Sequence, residues 1–391
     1  MKKLISRKKY IEELYKLKDH VDVIKVISGI MRCGKSTLIK QFVISLRSEG
    51  IRNEDIVYLD FDSFCKIREH SELCSFLEKN TSGRRTYIFL DNILKVKDWE
   101  QTIEWIRINL DADLYITCSN ANRFAPDMIT GTHTIRILPI SFKEFVELNP
   151  CDISYASMKS RYNDYVRIGS LPIVRTNMEP EIVNELLNGI LNSILIRELA
   201  PWNEIRNFDT FNDVIGYTFE NCGSLISPAN MAGKLGLNNQ KAVDSYLVAL
   251  EEVHLINRVP RYDLRTKQEM KTNAKYYLTD LGLRCAFTEY DDQDAKRILE
   301  NIVFIELLRR GYSVMIGSYK GTEISFIAKK DNDIDYYQVA ISLIEDITDN
   351  EIEALMSVNG HSKTIITKDD EKYNNPEGIR IMNYIDFLMN D

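Results

Sequence analysis

Eight residues, Gly29-Ile30-Met31-Arg32-Cys33-Gly34-Lys35-Ser36, set two glycines, a lysine and a hydroxyl at the spacing GxxxxGK[ST]. Glycines let the backbone curl so that successive N–H groups converge on phosphate oxygens. Lys35 then supplies a cation for the β and γ phosphates, and the Ser36 hydroxyl a ligand for Mg²⁺. The candidate nucleotide-binding residues are Gly29, Arg32, Cys33, Gly34, Lys35, Ser36 and Thr37, and the expected cofactors are ATP and Mg²⁺. A second group lies in YIFLDN, Tyr87 to Asn92. The apolar run ends in Asp91, a carboxylate that would hold the metal with Ser36, although Asp-Asn also suits an ordinary turn. Asn92 and Asn120, the latter closing LYITCSN, are the candidate catalytic positions, Asn120 as a polar sensor of the γ-phosphate or the attacking water. An amide binds a water but does not take its proton. Asp60 and Asp62, in IVYLDFD, are the nearby carboxylates that would substitute.

Such residues need a scaffold. VIKVIS, DIVYLDFD, TYIFLDN, DLYITCSN and HTIRILPI alternate with helical stretches, which predicts a parallel sheet covered by helices, with ligands at the carboxyl ends of its strands. Residues 149–220 read as a helical lid or connector, broken by Pro172, Pro180 and Pro201. Residues 221–286 have the layout of a winged helix-turn-helix. Asn238, Asn239, Gln240 and Lys241 open its second helix, and Arg258, Arg261, Arg265, Lys267, Lys271 and Lys275 populate the wing. Asn239, Lys241, Arg261 and Arg265 are the candidate contacts to double-stranded DNA. Asp244, Glu251, Glu252, Asp263 and Glu269 dilute that basic field, so docking of a protein is the competing reading.

Composition limits the rest. The chain has 391 residues, 44% of them hydrophobic, enough for several packed domains. A net charge of −8 excludes a protein that coats nucleic acid with a uniformly basic surface. The seven cysteines lack CxxC spacing and read as reduced, packed thiols. MKKLISRKKYIEELYKL has charges throughout and no apolar core, and no run reaches the ~20 residues of a membrane span. A cytoplasmic location is expected.

The chain resembles the prokaryotic AAA+ type ATPases that carry a C-terminal domain of unknown function. ISGIMRCGKSTLI, YIFLDN, ITCSN, ILPISFKEF, YVRIGSLP, KYYLTDLGLR, ILENIVFIELLRRGYSV and EISFIAKK carry the resemblance, in family order. It implies an AAA+ core (1–148), a helical segment, a winged helix and, at 287–391, an α/β domain similar to restriction endonucleases. Three departures stand out: Asn92 replaces the family's glutamate, Thr132 its arginine, and Ser325 a metal-binding aspartate. Glu300, Glu306 and Glu323 remain in the tail, but Gln338-Val339-Ala340 lacks the acid and lysine of an active nuclease. The expected fold is thus an α/β P-loop NTPase core with lid, winged helix and an inactive nuclease-like tail. The expected function is an ATP-binding device that contacts DNA or protein, with weak or absent hydrolysis and a homo-oligomeric state. An active ATPase motor and a docking scaffold with structural nucleotide are the alternatives.

Overall fold

A computed structural model describes residues 5–62, 65–81, 83–120, 124, 131–152, 154–200, 207–237, 240–288, 292–358, 360–369 and 378–390. It divides into two compact units, residues 1–138 with 252–254, and residues 139–251 with 255–391.

The first unit contains strands β1 (Ile24–Ser28), β2 (Ile56–Asp60), β3 (Thr86–Asp91), β4 (Ala112–Cys118) and β5 (Thr132–Arg136). All pair in parallel, in the order β2-β3-β4-β1-β5. Helices α1 (Lys8–Leu17), α2 (Lys35–Ser48), α3 (His70–Asn80) and α4 (Trp99–Asn109) complete it. Every residue of β1, β3 and β4 is buried, as continuous apolar runs such as TYIFL require when both faces of a sheet are covered. Besides Asp91 at the end of β3, Lys25 and Asp113 place charge within these strands. The ammonium of Lys25 donates to Asp113 and, at 2.7 Å, to the His20 carbonyl, while Tyr115 Oη donates to Asp113 at 2.9 Å. Burial lowers the proton affinity of Lys25, and the carboxylate of Asp113 opposes that shift. A charge sealed in a sheet persists only with such partners.

The second unit begins with α5 (Phe142–Leu148), α6 (Tyr155–Ile168), α7 (Pro180–Ile194) and α8 (Phe208–Glu220). Its remaining elements are β6 (Leu225–Ile226), α9 (Pro228–Lys234), α10 (Gln240–Glu252, whose last residue groups with the first unit), β7 (Ile256–Asp263), β8 (Gln268–Leu278), α11 (Ala295–Arg309), β9 (Ser313–Tyr319), β10 (Thr322–Lys330), β11 (Asp333–Ala340), α12 (Asp349–Met356), β12 (Ser362–Thr367), β13 (Arg380–Asn383) and α13 (Tyr384–Met389). The strands form one mixed sheet, β13-β12-β11-β10-β9-β7-β8-β6. The pairing of β7 with β9, Arg261 opposite Ile316, carries it across residue 286. The division at 286/287 therefore separates chain segments rather than sheets.

Several stretches of the family resemblance meet inside this unit. Ser141 caps α5 by accepting from Glu144 N–H at 3.1 Å, and Glu144 accepts from Ser141 N–H at 2.8 Å. PISFKEF is thus a capping box that carries two buried phenylalanines, Phe142 and Phe145, into α5. Asp280, from LTDLG, accepts from the backbone and hydroxyl of Ser170, from RIGSL, at 2.5 and 2.7 Å. Arg309 of α11 donates to the Pro139 carbonyl at 2.8 Å, and Tyr165 to that of Ile140 at 3.0 Å.

Candidate nucleotide-binding site

The phosphate loop lies between β1 and α2, at the carboxyl end of the sheet. Gly29 has φ +150°, and a Cβ there would fall 2.3 Å from the Ile137 carbonyl oxygen. Gly34, with φ +111°, caps the 14-residue α2, and Arg32 also adopts a left-handed φ of 66°. Lys35 is buried, its ammonium donating to the carbonyls of Gly29 at 2.7 Å and Ile30 at 3.1 Å. The Cys33 side chain is fully buried, so its role in a cradle is confined to its backbone. Ser36 and Thr37 occupy the first turn of α2, Thr37 exposed. Arg7 braces the loop from beneath by donating to the carbonyls of Cys33 (3.5 Å) and Leu138 (2.8 Å).

Asp91 ends β3 and is wholly buried. Tyr58 Oη donates to one of its oxygens at 2.8 Å, and Thr117 Oγ1 to the other at 2.5 Å. Burial and the charge of Asp91 push the Tyr58 phenol well up, so it remains a donor. Among the described residues no lysine or arginine pairs with Asp91. A buried carboxylate with hydroxyl partners and no cation suits a hard metal ion, so this donor set fits Mg²⁺.

Asn92 has a left-handed φ of 61°, and its N–H donates to Thr117 Oγ1 at 2.8 Å. Its side-chain amide donates to Asp62 Oδ2 at 2.9 Å, while Lys95 pairs with the other Asp62 oxygen. Asn120 is buried at the end of β4, and its amide donates to Glu252 at 3.1 Å. Two residues away, His254 Nε2 lies 3.1 Å from Ser28 Oγ. Burial, then the cations of Arg136 and Lys35, hold the His254 imidazole well below its ordinary pKa, hence neutral. Tyr58, Thr117 and His254 escaped sequence reasoning, and Glu252, read there as diluting the basic field of the winged helix, instead accepts from Asn120. No spacing signals a partner 226 residues distant, as His254 is from Ser28.

Thr132 sits at the opposite edge from the loop. It pairs with Ile24 at the start of β1, whereas Arg136 pairs with Ser28 at its end. Four residues of strand, roughly 13 Å, separate the two levels. Arg136, not position 132, is the arginine at the loop end, and burial lowers its proton affinity.

A family model described as an AAA domain matches residues 22–146, and one described as a domain of unknown function (DUF8612) matches residues 159–294. An uncharacterized protein of Haemophilus influenzae is 33% identical over 99% of both chains. The chain belongs to the AAA-type P-loop ATPases with a C-terminal domain of unknown function. An uncharacterized protein of Methanocaldococcus jannaschii is 25% identical, covering 90% of this chain and 83% of its own. A Walker-type ATPase of Pyrococcus abyssi superposes with TM-score 0.50 at 12% identity, covering 73% of this chain and 96% of that one, a likeness of fold. Membership implies nucleotide binding. Among the described residues no helix is long and apolar enough to cross a membrane.

The residues expected to meet DNA lie in the second unit. Lys241 is exposed on α10, beside exposed Asp244, Ser245 and Val248. Arg265 and Lys267 are exposed in the β7–β8 turn, whereas Arg261 is half-buried within the sheet between Met270 and Ile316. Asn239 lies outside the described residues. Lys275 corrects the reading of the wing: it is buried, donating to Glu300 at 3.0 Å and Glu323 at 2.6 Å. Burial alone would lower its pKa, but the two carboxylates raise it overall. Tyr277 and Ser325 also donate to Glu300, at 3.1 and 3.3 Å. The two acids surround a protein ammonium.

Proposed function

We propose that the chain binds Mg·ATP through Gly29–Thr37, hydrolyses it slowly, and uses it to control a surface that binds duplex DNA. The observation that supports this is the phosphate loop itself, with left-handed glycines, a buried lysine and a helix N-terminus converging at the carboxyl end of the sheet. With nucleotide bound, Lys35 would exchange the Gly29 and Ile30 carbonyls for phosphate oxygens, and Asp91 and Ser36 would hold the ion. Bound Mg²⁺ would neutralise charge on the β and γ phosphates. Asn120 and neutral His254 offer polar contacts at the ends of β4 and β1.

The DNA surface is a winged helix formed by β6, α9, α10 and the β7–β8 hairpin. Its cations are Lys241, Arg258, Arg265 and Lys267. The tail acts as a non-catalytic domain, because the Lys275 ammonium already occupies the place between Glu300 and Glu323 that a metal ion would take. A second reading, docking of a protein, draws on α10, whose exposed face mixes Lys241 with Asp244 and Val248.

Thermal unfolding with and without Mg·ATP is the test. The unmodified chain is expected to gain about 2.7 kcal/mol at ~100 times Kd, and Lys35→Ala to lose that gain. An unchanged melting curve at saturating nucleotide removes the nucleotide reading. Duplex binding is expected to weaken with salt at a log–log slope of about −3, flattened by roughly one unit in Arg265→Ala. Indifference to DNA at low salt, with and without ATP, transfers the surface to a protein partner.

A further inference from the structure

Three carboxylates cluster where β2 and β3 end, and only one of them faces water. Asp60 stands opposite Asp91 in the strand register, and both are buried. Asp91 is held by two hydroxyls, and Asp60 accepts the Asp62 N–H at 2.9 Å. The side chain of Asp62 is 43% exposed, which is what a group that must pass protons to solvent requires. Its carboxylate is nevertheless fixed, by the Asn92 amide at 2.9 Å and by Lys95. Asn92 in turn is fixed through its backbone by Thr117, the same hydroxyl that holds Asp91. The chain thereby ties the orientation of Asp62 to that of the carboxylate assigned to the metal.

We propose that Asp62 is the general base for the slow hydrolysis, with Asn92 as its positioning residue, an inference that rests on the nucleotide reading above. A water oxygen forms a bond to the γ-phosphorus while the bond from that phosphorus to the β–γ bridging oxygen breaks. The water's proton passes to an Asp62 carboxylate oxygen and from there to solvent, and ADP leaves with the electron pair on its terminal oxygen. The amide at position 92 donates to this carboxylate. A glutamate there would set a second negative charge against Asp62.

The experiment uses the full chain with Mg·ATP, reading affinity from a fluorescent ATP analogue and chemistry from single-turnover release of γ-phosphate. Asp62→Ala is expected to slow release by about 10²-fold or more while affinity stays within about threefold, and Asp62→Glu to restore part of the rate. Asn92→Ala is expected to lower kcat by about tenfold at unchanged KM, the pattern of lost positioning. In the nucleotide-free protein the stability losses of Asp62→Ala and Asn92→Ala are expected to be non-additive, since each removes the same hydrogen bond. Release by Asp62→Ala at the unmodified rate overturns the proposal. So does an unmodified chain that binds ATP and leaves it intact. Failure of the unmodified chain to bind nucleotide at all is a different result, and it falls on the nucleotide reading.

Discussion

Gly29 and Asn92 are each explained by what surrounds them. At Gly29 a Cβ would collide with the Ile137 carbonyl, a backbone atom that has no rotamer through which to withdraw. Gly29→Ala is therefore expected to cost about 1–3 kcal/mol in urea denaturation and to abolish the Mg·ATP thermal shift, because the loop must open to admit the methyl group. At Asn92 the sequence suggests a lost base that a glutamate would restore. The bond to Asp62 argues the opposite, since Asn92→Glu replaces an amide donor with a like charge at hydrogen-bond distance.

At the scale of elements, face matters more than composition. Lys275 and Tyr277 are two residues apart on β8, so they project to the same side and both reach Glu300. Counting charges along the hairpin assigns Lys275 to the wing, and strand alternation takes it away. Helix α10 carries a half-buried acid whose surroundings also matter. Burial pushes the carboxyl of Glu251 up to about 7 against the opposing charge of Arg258. The folded form thus prefers Glu251 protonated, and the unfolded chain releases that proton first as pH rises. Glu251 accordingly costs nothing below the ordinary carboxyl range, and stability is lost as pH climbs from there to about 7. Glu251→Gln is expected to match the unmodified chain near pH 4 and to exceed it near pH 8 by about 2–3 kcal/mol, read from urea midpoints at the two pH values.

Across the whole molecule, buried charge marks the positions where a substitution does most harm. Lys25 and Asp113 seal an ion pair between adjacent parallel strands, both side chains inaccessible to water. Removing one partner strands the other, so Asp113→Ala is expected to cost about 3–5 kcal/mol in urea denaturation, whereas Lys25→Met with Asp113→Leu costs far less. The hub of Ser170, Asp280, Pro139 and Arg309 has the same logic in the second unit. Words of sequence that identify the family, such as RIGSL and LTDLG, there satisfy one another's buried polar groups. Ser170 and Asp280 are accounted for by that mutual satisfaction, without a catalytic role.

The phosphate loop, the parallel αβ core and the family are legible in the chain alone. Those features are local: glycines at fixed spacing, a strand before and a helix after, and apolar runs that only a doubly covered sheet accommodates. The expected Asp91 position at a strand end follows from the same local pattern. What each polar group faces is set by folding. Asp62 beside Asn92, His254 against Ser28, Glu252 on Asn120 and Lys275 between two glutamates are contacts over 25 to 226 residues of chain. Hydrogen bonds and ion pairs act over about 3–4 Å in space, and a linear chain carries no record of which distant residues folding will bring that close.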